Sequence, residues 1–177
     1  MIIKEVVQIG NPLLRQKCKM VRNCNTKKVK KIIRDLADTM RYNDLVGMAA
    51  SQIGYKLKIF ITEVRKTPSR TPEEIDKLRV YINSRITWKS KKEVVIYEAC
   101  GSVAHADFYA PVKRPQKVIV RALDENSERF ELKADGLLAR VIQHEYDHHH
   151  GIEFIDKITD MRKAMSEDEY IKKFVKN

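Results

Sequence analysis

The sequence predicts an α+β domain built on antiparallel sheets. Two observations carry that reading. Strand-like runs fill the middle of the chain, between an amphipathic helix at 26–41 and a second helix at 137–151, and polar turns join many of those runs. With 177 residues, the chain reads as a single domain, 1–177, long enough for a sizeable core, with a basic C-terminal tail or helix from about 161.

The elements follow in order. Residues 10–15, GNPLLR, read as a turn leading into a short extended or looped arm. The first helix takes Asn25 or Thr26 as its cap and carries Val29, Ile32, Ile33, Leu36 and Met40 at helical spacing, with Lys27, Lys28, Lys30, Lys31 and Arg34 on its solvated side. Residues 45–54, LVGMAASQIG, crowd small side chains together and read as a tight helix-to-strand connection that lets another backbone come close. Residues 57–64 are rich in Ile, Leu and Val and read as a strand. Thr71-Pro72-Glu73-Glu74 has the order of a capping box and predicts a short surface helix at 72–78. Strands are expected at 80–83, 86–89 and 93–98, then a hairpin of 118–123 with 129–133 around Asp124-Glu125-Asn126-Ser127. Asp135 caps the second helix, Gly151 ends it, and Ser166 caps a last helix bearing Tyr170, Ile171, Phe174 and Val175 among lysines.

Composition narrows the function classes. Apolar residues at 43% and charged residues at 33% fit a globular protein with a heavily charged surface. No segment has the apolar length of a membrane span, and the N-terminal MIIKEVVQIGNPLL is neither a secretory signal nor a transit peptide. The protein is therefore expected in the cytoplasm, with no membrane partner. The net charge of +11 is spread over the whole chain without a nucleic-acid-binding motif, which sets specific DNA binding aside. Cys18, Cys24 and Cys100 are an odd set, which points to a reducing compartment and away from a disulfide framework.

The second helix carries the chemistry. It holds His144-Glu145-x-x-His148. Residues four apart on a helix lie about 40° apart around its axis, so both imidazoles face one way, as half of a zinc-type site, with Glu145 placed to move protons for a metal-bound water. Leu137 and Val141 continue that face with apolar side chains, so it turns inward. His149 and His150 fall roughly 140° and 240° from His144, away from the ligand face; they and His105 read as residues beside the site or on the surface. Cys100 is the leading third ligand, set among small residues after a strand, although a lone cysteine is more often simply buried.

Three stretches together resemble the peptide deformylases: Leu45-Val46-Gly47-Met48-Ala49-Ala50-Ser51-Gln52, then Glu98-Ala99-Cys100-Gly101-Ser102, then Gln143-His144-Glu145-Tyr146-Asp147-His148. The likeness extends over about residues 3–160. It implies that antiparallel sheets surround a central metal-bearing helix, and that Cys100, His144 and His148 bind one divalent metal, with Fe(II) expected and Zn(II), Ni(II) or Co(II) as substitutes. It further implies hydrolysis of the formyl group of N-formyl-methionyl peptides. Gln52 and the backbone N–H of Gly101 would hold the oxyanion, Glu145 would move the proton, and Leu45, Val46 and Gly47 would pair with the substrate backbone. The basic C-terminal segment is a candidate ribosome contact.

The chain departs from the family pattern at several points. Leu45 stands where the family has its first Gly, Ala99 where it has Gly, and Gly101 where Leu is frequent. Ala104 stands where a Pro is usual and His149 where an apolar residue is usual. Two other readings remain at this level: a zinc peptidase, on His-Glu-x-x-His alone, and a deformylase-like binding module without efficient turnover.

Overall fold

The structure is a computed structural model that describes residues 2–176, so both ends of the 1–177 span expected of the domain lie outside the described residues. Among the described residues, no helix is long and apolar enough to cross a membrane.

Among the described residues, three α-helices and seven strands form in the order α1 (Lys27–Tyr42), β1 (Gly47–Ala49), β2 (Ile59–Thr62), β3 (Arg79–Lys89), β4 (Glu93–Glu98), β5 (Ala110–Pro115), β6 (Val118–Leu123), β7 (Arg129–Ala134), α2 (Gly136–His148) and α3 (Glu167–Phe174). The strands make one five-stranded sheet, ordered β1-β2-β3-β6-β7, and a separate β4–β5 pair; every pairing is antiparallel.

The α1 helix forms where its caps and stripe require it. The Thr26 hydroxyl accepts the Val29 N–H at 3.2 Å, meeting one of the orphan donors of the first turn. Its buried face (Val29, Ile32, Leu36, Met40) packs on one side of the five-stranded sheet against Ile59, Ile61, Val80 and Ile82. Side chains alternate across a strand, so Phe60 and Tyr81 point to the other side. There they meet Ala139 and Ile142 of α2, together with Val118 and Val120. The inner strand β2 is thus buried on both faces, which is why it is a continuous apolar run in the sequence. A third cluster, with Val112 and Phe154, lies under the β4–β5 pair and closes over the far side of α2. The helix bearing the two histidines therefore lies between the two sheets.

Several expectations are corrected. Residues 72–78 form no helix: Ile75 is 79% exposed, so an apolar face would have nothing to cover it. The two strands expected at 80–83 and 86–89 are one strand, β3, with register shifts; Asn83 sits at φ 54 and spends its side chain on the backbone of Val21. The connection expected at 45–54 contains strand β1 and a single 3-10 turn, Ala50–Ile53. Pro12–Arg15 is also a 3-10 turn, capped by Asn11. Strand β5 was not expected at all. The last residues behave as read: the Ser166 hydroxyl caps α3 by accepting the Glu169 N–H at 3.4 Å.

Candidate metal centre

Asp135 caps α2 by accepting the Gly136 N–H at 2.6 Å. From there the helix runs inward, and His144, Glu145 and His148 are all buried. Cys100 stands just past the end of β4. Its sulfur lies 3.5 Å from His148 Nε2, and one donor atom from each of Cys100, His144 and His148 falls within 4.8 Å of the others.

Each imidazole is aimed by a carboxylate behind it. His144 Nδ1 lies 2.9 Å from Glu98 Oε2, which leaves its Nε2 for the centre. His148 Nδ1 lies 3.3 Å from Glu153 Oε1, within ion-pair range but too bent for a hydrogen bond. Glu98 is itself held by Arg114 of β5 in a two-pronged pair, 2.7 and 2.9 Å, and by Arg140 of α2 at 2.9 Å. Arg114 reaches on to Asp147 at 2.5 Å, so one buried guanidinium ties β4, β5 and α2 together behind the histidines. Burial would raise the Glu98 carboxyl, but His144 and Arg114 hold it well below the usual carboxylate range.

The donor set suits a divalent metal. Burial would raise the Cys100 thiol, but His148 and His144 outweigh it and bring it down to about 6. Burial would lower the His144 imidazole, but Cys100 and Glu98 raise it to about 10. The site therefore stabilises a thiolate by placing two protons beside it, and a cation that displaces those protons supplies the same positive charge. One thiolate and two imidazoles are three ligands, the number that leaves a fourth position open in a catalytic site.

That open side faces a cavity of about 280 Å³, walled in part by Leu45, Gly47, Gly101 and Val141. Glu145 lines it too, and its Oε2 has no hydrogen-bond partner although it is buried. Burial pushes this carboxyl up to about 7, against the opposing pull of His144 and His148. Gln52 is locked: its Oε1 accepts the Ala49 N–H at 2.8 Å, which turns Nε2 toward Cys100 Sγ (3.4 Å) and Ser102 Oγ (3.3 Å). Gly47 lies against the helix so closely that a Cβ there would sit 2.5 Å from Val141 Cγ1 and 2.7 Å from Glu145 Oε1.

Strand β1 is at the edge of its sheet. The Val46 carbonyl accepts the Glu63 N–H at 2.9 Å, on the β2 side. Antiparallel ladders alternate, so Gly47 turns its backbone groups to the open edge. Leu45 donates its N–H to Met40 O at 3.0 Å, and its carbonyl accepts from Arg65 at 3.2 Å.

All nine residues singled out from the sequence thus come together at one cavity or its floor. The neighbouring histidines divide. His149 is a core residue, fully buried, 3.4 Å from Ser84 Oγ and packed on Phe60; burial drives its imidazole down to about 3, so it stays neutral. His150 is half-buried and bonds the Tyr146 carbonyl, and His105 is exposed at the cavity mouth. The sequence reading gave no role to Glu98, Arg114 or Glu153. Glu98 had a signal, a charged residue ending an apolar strand two positions before a candidate ligand. Glu153 had none.

Known proteins give the same picture. A sequence model of the family described as polypeptide deformylase matches residues 3–164. A peptide deformylase of Dictyoglomus turgidum is 36% identical over 159 residues, which is 90% of this chain and 95% of that protein. The crystal structure of a peptide deformylase from Synechococcus elongatus in complex with actinonin is 30% identical, with a TM-score of 0.80, covering 96% of this chain and 85% of that one. A Met-Ala-Ser-bound class I type b peptide deformylase from Acinetobacter baumannii superposes with a TM-score of 0.84 at 26% identity, over 89% of this chain and 99% of that one.

Proposed function

This chain belongs to the polypeptide deformylase family, and we propose that it removes the formyl group from N-formyl-methionyl peptides of nascent chains, releasing formate. The observation that carries the reading is the convergence on one cavity of three metal-capable donors, an unpartnered buried carboxylate oxygen on Glu145 and the fixed amide of Gln52.

Cys100, His144 and His148 hold the metal. A divalent ion there supplies Lewis acidity, lowering the pKa of water and polarising the formyl carbonyl. The family is metal-dependent; within it, we assign Fe(II) to this chain, with Zn(II), Ni(II) and Co(II) accepted by the same soft thiolate and imidazoles. Glu145, poised near neutrality, takes a proton from the attacking water. As the water oxygen bonds to the formyl carbon, the carbonyl oxygen gains charge. Gln52 Nε2, its amide already fixed by Ala49, and the Gly101 N–H receive that charge. The C–N bond then breaks, Glu145 returns the proton to the leaving nitrogen, and formate and a free amine result. The open edge of β1 at Gly47, with Leu45 and Val46 leading into it, receives the peptide as an added strand.

We assign the protein to the cytoplasm, where chains emerge from ribosomes; its three cysteines, none of them in a disulfide, fit a reducing compartment. The α3 helix rests its aromatic rings, only partly covered, beside the β4–β5 pair, with Tyr170 stacked on Tyr109 at 4.2 Å and Phe174 5.1 Å from Tyr97. Lys172 and Lys173 are exposed on it and Lys176 just beyond its end, a surface suited to ribosomal RNA. Deleting residues 166–177 should weaken co-sedimentation with ribosomes; unchanged co-sedimentation removes the contact.

The test is formate release from formyl-Met-Ala-Ser by protein purified without oxygen and loaded with iron or nickel. Turnover supports the reading. Metal bound to an intact fold without formate overturns it.

A further inference from the structure

Gly101 has no backbone reason to be glycine. Its φ lies outside the positive region that favours glycine. What surrounds it is another matter. A Cβ on Gly101 would lie 2.8 Å from Leu45 Cδ1 and 3.6 Å from Val6 Cγ1. The space beside the Cys100 ligand that a side chain at 101 would fill is already filled by a leucine from the other side of the groove. Leu45 cannot simply leave. Its backbone is tied at both ends, to Met40 and to Arg65, and its side chain packs against the core cluster under α1. Both residues line the cavity.

We infer that Leu45 and Gly101 are a matched pair: Leu45 forms the apolar wall of the peptide groove beside the metal centre, and the missing side chain at 101 keeps that wall out of the peptide's path. The inference rests on the proposed deformylase reading and adds a specificity-determining residue to it. Leu45 stands two residues before Gly47, which is next to Glu145. Leu45 itself lies in the segment leading into β1, with its side chain against the Gly101 position next to the Cys100 ligand. On this reading it walls the groove where the residues after the formylated methionine pass, and it selects against bulk there.

Four proteins test this: the unmutated chain, Leu45→Gly, Gly101→Leu and the double variant. Gly101→Leu overpacks the wall, so it should lower Tm by roughly 3–10 °C. It should also raise KM for formyl-Met-Leu-Phe more than for formyl-Met-Ala-Ser. Leu45→Gly should shift the kcat/KM ratio of those peptides toward the bulky one by roughly tenfold. The double variant should recover most of the Gly101→Leu loss in both Tm and selectivity, because each change opens the space the other needs. Gly101→Ala, which needs only a small movement of the Leu45 side chain, keeps the comparison open if Gly101→Leu does not fold: its Tm loss should vanish in the Leu45→Gly background.

Binding of the deformylated products Met-Ala-Ser and Met-Leu-Phe separates the two layers of the argument. If formate is released but Tm and selectivity effects add independently, the pair is overturned and the activity stands. If no formate is released yet product affinities follow the predicted pattern, the pair stands and the activity is overturned.

Discussion

Replacing Arg114 by Met tests how the histidines are held. Arg114 is 3% exposed, as is Glu98, and together they make a two-pronged pair at 2.7 and 2.9 Å. Removing one partner of a buried pair leaves an uncompensated charge, at a cost of about 3–5 kcal/mol. The remaining partners set where in that range the cost falls. Glu98 keeps Arg140 at 2.9 Å and His144, and Asp147 keeps Lys157 at 3.2 Å. The low end, about 3 kcal/mol, is therefore expected, and for a chain of this size it lowers Tm by about 10 °C. Arg114→Lys keeps the charge but loses the fork and should cost about half as much. Adding Glu98→Gln to Arg114→Met should deepen the loss, because the buried Arg140, 2.9 Å from Glu98, then loses its carboxylate too. Urea unfolding of the metal-loaded proteins at neutral pH reads all three. If Arg114→Met changes stability by less than about 1 kcal/mol, the network does not bear on the fold as described.

The other predictions concern the cavity. Glu145→Gln should keep one metal per chain and lose roughly 10²–10⁴ in kcat, measured by metal analysis and formate release; surviving turnover would mean that Glu145 moves no proton. Gln52→Leu should lower kcat by about 10²–10³ with KM little changed, since the amide acts on charge that develops only during reaction; a pure KM effect would contradict that role. Gly47→Ala should destabilise by about 1–3 kcal/mol and slow turnover, because its Cβ meets Val141 Cγ1 at 2.5 Å and Glu145 Oε1 at 2.7 Å, and both must move; unfolding and kinetics on one preparation check both effects.

Much of the fold was legible because local rules agreed with it. The Thr26 cap, the α1 stripe and the β6–β7 hairpin each show in short stretches of sequence. Strand β5 was hidden by Pro111 and Pro115, which break strand patterns; it is tolerated because its sheet has only two strands, so missing N–H donors leave no second neighbour unpaired. Residues 72–78 failed in the opposite way: the capping order is present, but no surface waits to bury Ile75. At the site, the gathering of His144, Glu145, His148 and Cys100 was legible because a helix fixes the spacing of the first three and a strand end supplies the fourth. The support behind them was not. Arg114 and Glu98 meet their partners across long sequence separations, Glu153 approaches His148 from beyond the helix end, and no periodicity reports which charges will meet. The departures at Leu45 and Gly101 were visible singly, but only folding shows that the two positions touch.

X-ray absorption on the zinc-loaded protein tests the account's central claim, that Cys100, His144 and His148 hold the metal. The spectrum should show one sulfur near 2.3 Å with two imidazole nitrogens at about 2.0–2.1 Å, and Cys100→Ser should abolish the sulfur contribution. A spectrum without sulfur, or one unchanged in Cys100→Ser, would contradict it.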